Sequence, residues 1–211
     1  IEEKEDLQCV GLIASSYYQE ISELPQHPEV IVDVSHPDNF VRIERAMQRQ
    51  PIPLVLATTG YNESQKNTIE DWARQVPIVM TSNFSIGMTI VNKMLKTCQR
   101  EIAQYFDCDI LDKPSGSALM LKKTLQGPAT DRYGYQKPIS VTSLRHRQIA
   151  GEHTVILCGD HEQITITHMA DSREIFVRGI LEAVEAIPYL KPGLFSMEDL
   201  LAQRFLQRRL L

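Results

Sequence analysis

The chain has 211 residues, 43% of them hydrophobic and 23% charged, and a formal net charge of −5, which describes an ordinary globular protein rather than a disordered or fibrous one. The acidic balance argues against nucleic acid as a main partner, because phosphate binding needs a basic face. No apolar run reaches the roughly 18 residues that a membrane-spanning helix needs, and the acidic N-terminus is unlike a signal peptide.

Continuous apolar runs predict buried strands in the first half of the chain, at residues 7–13, 30–34, 53–57 and 76–80. Helices are predicted between the later strands. One starts at Pro37, and another follows Asn62, an N-cap that can form a capping box with Gln65. Strands that are apolar throughout and are separated by single helices indicate an α/β domain, in which a parallel sheet carries helices on both faces.

The pattern changes in the second half of the chain. An apolar stripe at helical spacing predicts one long helix over residues 86–105, and antiparallel strands are predicted at 139–144, 154–158 and 163–169. A hairpin turn at 159–161 joins the last two strands. A helix capped by Ser172 is ended by Pro188, a linker lies at 191–193, and a short helix follows Ser196. This α+β half suggests a second domain, with a ligand cleft between the two.

The cysteines and histidines indicate no metal site. Cys9, Cys98, Cys108 and Cys158 are far apart and form no Cys-x-x-Cys pair, so we expect reduced thiols in a cytoplasmic protein rather than a zinc knuckle or a disulfide framework. Three histidines lie on or beside neighbouring predicted strands, but their spacing matches no compact ligand motif, which favours structural roles. They are His153, His161 and His168.

Polar turns follow three of the predicted strands. They are Ser35-His36-Pro37, Thr58-Thr59-Gly60 and Ser82-Asn83-Phe84. Ligands of open parallel sheets bind beyond the carboxyl ends of the strands, so three such turns at one edge point to a binding site. Gly60 lets the backbone approach a ligand, and Phe84 could pack on a flat ring. Each turn alone is weak evidence, since polar turns after strands are usually only turns.

A second candidate site lies where the run Asp-Lys-Pro-Ser-Gly-Ser-Ala at residues 112–118 opens a helix. The backbone N–H groups of Gly116 and Ser117, with the Ser117 hydroxyl, are expected to face outward at the positive end of this helix. Such a site suits a carboxylate or a phosphate. A plain helix cap is the alternative.

Taken together in chain order, these segments resemble the dihydrodipicolinate reductase family. The matching stretches are residues 32–37, 57–61, 82–87, 112–118, 151–155, 164–168 and 191–195. No stretch is decisive alone, but the ordered set of Thr-Thr-Gly, Asn-Phe-Ser-x-Gly and Pro-Ser-Gly-Ser-Ala is specific. The resemblance implies NAD(P)H-dependent reduction of 4-hydroxy-tetrahydrodipicolinate to tetrahydrodipicolinate, in lysine and diaminopimelate biosynthesis.

The resemblance also implies a domain plan and site residues. Residues 1–84 with 191–211 would be a Rossmann-like dinucleotide-binding domain, and residues 85–190 an α+β domain for substrate binding and for assembly of a homotetramer. The residues implied to contact NADH or NADPH are Ala57, Thr58, Thr59, Gly60, Thr81, Ser82, Asn83 and Phe84. Gly116 and Ser117 match the Gly-Thr pair that holds a substrate carboxylate.

The chain departs from the family pattern in three places. It has no counterpart of the first strand and its glycine-rich phosphate loop. The family's Glu-x-His-His-x-x-Lys segment, which supplies the proton donor, is missing between Ile110 and Leu111, so no catalytic residue is assigned. Arg145-His146-Arg147 stands where the family tends to have Arg-Gly-Gly. Residues 14–16, Ala-Ser-Ser, offer neither an acid nor an arginine for the ribose, which leaves NADH and NADPH equally open.

Two explanations of the missing segments are open. Either the 211 residues are an ordered subset of a longer chain, which we favour because the missing parts are ligand-binding loops, or the chain is a truncated homologue. The alternatives to the reductase function are a non-catalytic homologue, as a nucleotide sensor or scaffold, and another two-domain dehydrogenase of amino-acid metabolism. The stretch between Ile110 and Leu111 discriminates between catalysis and its absence.

Overall fold

The structure is a computed structural model, and it describes residues 6–14, 16–112, 116–128, 130–131, 133–142 and 151–207. The chain divides into two compact units, residues 1–81 with 180–211 and residues 82–179. Within the described ranges, no helix is both long enough and apolar enough to cross a membrane.

The helices and strands follow one another in mixed order. They are β1 (Ile31–Asp33), α1 (Phe40–Arg49), β2 (Leu54–Leu56), α2 (Glu63–Ala73), β3 (Pro77–Met80), α3 (Ile86–Thr97), α4 (Gln99–Tyr105), β4 (Asp107–Asp112), α5 (Gly116–Gln126), β5 (Ser140–Thr142), β6 (Gly151–Cys158), β7 (Gln163–Ala170), α6 (Glu174–Ala186), β8 (Gly193–Phe195) and α7 (Met197–Gln207). Short 3₁₀ turns lie at Ile21–Glu23, Pro37–Asn39 and Ile187–Tyr189.

The first unit is built on a parallel sheet in the order β1-β2-β3-β8. All of β2 is fully buried, as are Ile78 and Val79 of β3. A strand that is covered on both faces has to be apolar throughout, which is why the continuous runs identified these strands. The predicted α/β fold with a parallel sheet is confirmed.

Helices α1 and α2 complete the core of this unit. The predicted capping box starts α2: Gln65 N donates to Asn62 Oδ1, and Asn62 N donates to Gln65 Oε1, both at 2.9 Å. The Phe40 ring of α1 stacks on the Trp72 ring of α2, with centroids 5.1 Å apart. These rings belong to one buried cluster that includes Leu54 and Ile78 of the sheet.

The strand predicted at residues 7–13 is wrong. Among the described residues of this segment, pairing is limited to an isolated bridge between Ile13 and Tyr18, and Leu12 is exposed. In a doubly wound sheet the second strand is hydrogen-bonded to the first. Among the described residues, the apolar run has no neighbouring strand to pair with.

The linker predicted at residues 191–193 is partly a strand. Gly193 begins β8, which pairs in parallel with β3 through Gly193–Pro77 and Leu194–Ile78. A strand of this length that starts with glycine carries no readable periodicity. It pairs with β3 because that edge of β3 offers backbone hydrogen-bonding groups that β2, on the other edge, does not use.

The second unit contains a mixed sheet in the order β5-β4-β6-β7. The antiparallel pairing of β6 with β7 is confirmed, and Gly159 N donates to Glu162 O at 2.9 Å across the hairpin turn. The prediction for the strand at 139–144 is wrong in direction, since β5 runs parallel to β4. The sequence did not predict strand β4, because aspartates alternate with its buried residues, Cys108 and Ile110.

The single helix predicted over residues 86–105 is two helices. Cys98 separates α3 from α4 with φ −100° and ψ 12°. The preceding residue, Thr97, donates its hydroxyl to Lys93 O at 2.8 Å, a local bond that competes with the helix ladder and bends helices. Leu95 and Ile102 from the two helices nevertheless enter one buried cluster with Leu121 and Val155.

Candidate active site

A buried carboxylate organises the carboxyl end of β1. Asp33 accepts hydrogen bonds from the backbone N and hydroxyl of Ser35, at 3.0 and 2.5 Å, and from the Tyr61 hydroxyl at 2.5 Å. Burial, with the hydrogen bond to Asp33 as a further cause, raises the pKa of Tyr61 above its ordinary value. Tyr61 therefore keeps its proton and acts as the donor to this carboxylate.

The same network joins the turns that follow β1 and β2. Ser35 N donates to Thr58 Oγ1 at 2.9 Å, while Ala57 N and Thr58 N donate to Asp33 O at 2.8 and 3.1 Å. We call Asp33, Ser35, Thr58 and Tyr61 the rim cluster. Two of the three predicted polar turns thus meet at one edge of the sheet, as predicted.

The predicted residues of the second turn differ in accessibility. Thr58 is buried within the rim cluster, whereas Thr59 and Gly60 are exposed. Gly60 has a φ of +90°, which only glycine adopts without strain. The surface that this turn offers to a ligand is therefore the exposed Thr59 and the backbone around Gly60.

The third predicted turn is divided between the two units. Thr81 ends one segment of the first unit, and Ser82, Asn83 and Phe84 begin the second. The Phe84 side chain is only 3% exposed, so its ring is buried rather than an open platform for a flat ligand. Ser82 is exposed.

The second unit joins Asn83 to the predicted anion site. Asn83 Nδ2 lies 2.6 Å from Ser117 Oγ, and Ser85 N donates to Asn83 Oδ1 at 2.7 Å. Ser117 is 7% exposed, so its side chain is more buried than the sequence predicted, and the hydroxyl contacts a buried amide on one side. Gly116, beside it at the start of α5, is exposed.

A glycine of α6 allows a close approach within this unit. A Cβ at the buried Gly179 would lie 1.7 Å from Phe84 O, so a side chain there is sterically excluded. Val177 is 51% exposed, since the close packing is made by glycine.

Two of the three histidines form a stacked pair. His153 and His168 are cross-strand partners in β6 and β7, with ring centroids 5.8 Å apart, whereas His161 is exposed in the hairpin turn. His168 Nε2 lies 3.3 Å from Ser85 Oγ. Its Nδ1 is buried and has no hydrogen-bond partner within the described part of the chain. No group of three metal-ligating side chains occurs among the described residues.

Replacing His168 with glutamine is expected to flatten the pH dependence of stability. Burial, and secondly the neighbouring His153, lower the pKa of His168. The unfolded chain then binds the proton more readily, so stability falls as pH drops below the ordinary histidine pKa of about 6.5. Urea unfolding between neutral and mildly acidic pH measures this slope. His161→Gln should leave it unchanged, and equal slopes for His168→Gln and wild type would contradict the assignment.

Strand β4 runs without interruption through the place where the family's histidine segment is missing. Ile110 pairs with Val155 and Leu111 with Thr154 in the ladder with β6. The structure therefore places no loop between Ile110 and Leu111. Two further sequence features, residues 113–115 and the Arg-His-Arg run at 145–147, lie outside the described residues.

The architecture and the polar edge define a class of protein. A parallel sheet with a hydrogen-bonded rim at the carboxyl ends of its strands, on one chain with a mixed-sheet unit, is typical of oxidoreductases that bind a nucleotide cofactor. Family models described as "Dihydrodipicolinate reductase, N-terminus" and "Dihydrodipicolinate reductase, C-terminus" match residues 2–84 and 84–201. The chain belongs to the dihydrodipicolinate reductase family.

Individual relatives agree with this membership. The 4-hydroxy-tetrahydrodipicolinate reductase of Caldanaerobacter subterraneus is 32% identical over 203 aligned residues, which cover 87% of this chain and 80% of the relative. The enzyme of the same name from Clostridium novyi is 31% identical over 206 residues, covering 89% and 82%. The structure of dipicolinate-bound dihydrodipicolinate reductase from Paenisporosarcina superposes with a TM-score of 0.62 at 15% identity, over 83% of this chain and 74% of that one, which supports the fold.

Proposed function

We propose that this protein is an oxidoreductase that uses NADH or NADPH to reduce 4-hydroxy-tetrahydrodipicolinate to tetrahydrodipicolinate, in lysine and diaminopimelate biosynthesis. The observation that carries the proposal is the match of both halves of the family, in order, to residues 2–84 and 84–201 of one chain. The named relatives are matched over 80% or more of their length, so the likeness extends well beyond a nucleotide-binding domain.

The cofactor is assigned to the turns that follow the strands of the first sheet, at Ala57, Thr58, Thr59 and Gly60, and to Thr81, Ser82, Asn83 and Phe84. The residues present fit a dinucleotide in part. Hydrogen bonds of the rim cluster hold the turn at Thr58, and Thr59 with the backbone at Gly60 remains accessible. A reduced nicotinamide bound there supplies the hydride, and the protein's part is to orient it. The sequence offers no glycine-rich loop for the pyrophosphate, and Ala14 and Ser16 do not discriminate NADH from NADPH.

The substrate is assigned to the start of α5. The backbone N–H groups of Gly116 and Ser117 lie at the positive end of this helix, where a carboxylate is stabilised. The Ser117 hydroxyl adds a further donor. We therefore assign the dicarboxylate substrate to the second unit. For the functional domains we keep the predicted bounds, residues 85–190 for substrate binding and residues 1–84 with 191–211 for the dinucleotide.

No proton donor is assigned. In place of the histidine segment, β4 continues from Ile110 to Leu111 with unbroken pairing to β6. The experiment that tests the function follows oxidation of NADH and of NADPH by absorbance, with freshly generated 4-hydroxy-tetrahydrodipicolinate. Turnover supports the proposal. Binding of cofactor and substrate without turnover would favour a non-catalytic homologue. If the protein binds neither, the proposed function is wrong.

Ser117→Ala is expected to raise the KM for the substrate by about tenfold or more, because a hydrogen bond to a charged group contributes about 1.5–3 kcal/mol. The KM for the cofactor should stay within about twofold. Steady-state kinetics measure both. Thr124→Val, which removes a hydroxyl from the same helix where it donates to Asn92 Oδ1, is the matched control and should leave both constants unchanged. An unchanged substrate KM in Ser117→Ala would refute the anion site.

We further assign self-association, as a homotetramer, to the mixed sheet. The face opposite the α3–α5 helices presents Ile156, Thr165, Thr167 and Met169, of which Met169 is 57% exposed. An apolar and threonine-rich sheet face suits a partner copy.

A cytoplasmic location is supported by the free thiols of Cys9, Cys98 and Cys158. All three are exposed, and an oxidising compartment would favour their conversion to disulfides.

A further inference from the structure

The side-chain amide of Asn83 lies between two groups of different character. On one side is the backbone N of Ser85, 2.7 Å from Asn83 Oδ1, and on the other the hydroxyl of Ser117, 2.6 Å from Asn83 Nδ2. Asn83, Ser85 and Ser117 are all buried. Since all three belong to the unit of residues 82–179, the network exists within one compact body.

The direction of each hydrogen bond in this network is forced by chemistry. A backbone N–H can only donate, so the amide atom that faces Ser85 N has to be the oxygen. The other amide atom is then the nitrogen, which only donates. Ser117 Oγ is therefore the acceptor, and its own proton points away from Asn83.

We propose that Asn83 is a positioning residue that fixes the Ser117 hydroxyl as a hydrogen-bond donor toward the anionic group of the substrate. A serine hydroxyl carries one proton and can rotate, so without a neighbour it need not face a carboxylate. By occupying the acceptor side of Ser117 Oγ, Asn83 leaves the proton available to the ligand at the start of α5. This inference rests on the proposed function and deepens it.

A second asparagine–hydroxyl pair in the same unit has the opposite polarity. Thr124 of α5 donates its hydroxyl to Asn92 Oδ1 of α3 at 2.6 Å. There the asparagine accepts and the hydroxyl proton is consumed within the protein. Of these two pairs, the one at Ser117 has the asparagine as the donor, and Ser117 carries the hydroxyl beside the helix N-terminus to which the substrate is assigned.

The test is Asn83→Asp, a substitution that keeps the shape of the side chain. One carboxylate oxygen still accepts from Ser85 N, but the other now accepts from Ser117 and turns the hydroxyl proton inward. Calorimetry with dipicolinate as the dicarboxylate probe, in the presence of reduced cofactor, is expected to show binding weakened by about 10- to 100-fold. Asn92→Asp adds the same charge to the same unit and keeps its acceptor role, so it should leave the dissociation constant within about twofold.

A double-mutant cycle separates proton direction from simple charge repulsion. In the Ser117→Ala background, the Asn83→Asp substitution has no hydroxyl to turn, and its effect should shrink to a few-fold or less. Asn83→Ala, which removes the donor without adding charge, should weaken binding by several-fold, and this effect too should vanish in the Ser117→Ala background. It serves as the second variant if Asn83→Asp does not fold, which thermal unfolding reports.

The possible outcomes test the positioning role of Asn83 separately from the proposed reductase function. Non-additive cycles support the positioning role. Additive cycles, with dipicolinate still binding to the wild type, overturn that role and leave the proposed function standing. A wild-type protein that binds neither dipicolinate nor reduced cofactor overturns both.

Discussion

Gly179→Ala is expected to destabilise the protein by about 3 kcal/mol, near the upper end for overpacking. The added methyl group would lie 1.7 Å from Phe84 O and 2.8 Å from Phe84 C, and a backbone carbonyl cannot rotate away as a side chain can. The gain in helix propensity from glycine to alanine, about 1 kcal/mol, is too small to offset this clash.

The effect should extend to the candidate site. Moving α6 away from Phe84 shifts the segment that carries Asn83, so dipicolinate binding should weaken together with stability. Urea unfolding and calorimetry measure the two effects. Gly116→Ala is the matched control for stability, because a Cβ there would meet Ser82 O at an ordinary 3.7 Å. A Gly179→Ala protein as stable as the wild type would contradict the close approach.

Asp33→Ala is expected to have the largest effect on the cofactor site. The substitution removes the acceptor that the Tyr61 hydroxyl shares with the backbone N and hydroxyl of Ser35, and a buried polar group left without its acceptor costs about 1–3 kcal/mol. We expect a loss of about 2 kcal/mol in the free energy of unfolding, because Tyr61 is buried whereas Ser35 is exposed to water. Loss of these hydrogen bonds should also displace the rim and weaken cofactor binding by about tenfold, which corresponds to about 1.4 kcal/mol.

Two comparisons locate that effect in the buried network. Tyr61→Phe removes one of the donors and should cost less than Asp33→Ala in both measurements. Asp38→Ala removes an exposed carboxylate from the neighbouring turn, where it pairs only with His36, and should change neither. Chemical unfolding and titration with NADH and NADPH supply the readouts. Cofactor affinity unaffected by Asp33→Ala would refute the placement of the dinucleotide at this rim.

Local sequence was sufficient wherever a segment carries its own structural signal. Strands β2 and β3 are apolar at successive positions because both of their faces are covered. Asn62 and Gln65 form their capping box from side chains within a single turn. The polar turns after β1 and β2 were recognised for the same reason, and the structure joins them through Ser35 and Thr58.

The pairing of strands that are distant in the chain could not be predicted from the sequence. Residues 7–13 are as apolar as a strand, but in the described part of the chain their pairing is limited to an isolated bridge. Gly193, by contrast, enters β8 because this segment pairs with the edge of β3. Strand β4 was not predicted because its two buried residues, Cys108 and Ile110, alternate with aspartates on the exposed face of the sheet.

The site divides in the same way. The sequence by itself determined which residue types stand at the strand ends and at the start of α5, and therefore the α/β fold and the reductase family. Only the tertiary structure decided that Ser117 is buried against Asn83 and that Asp33 holds the rim. Hydrogen bonds between residues far apart in the chain leave no periodic pattern, because their geometry exists only after the elements have packed.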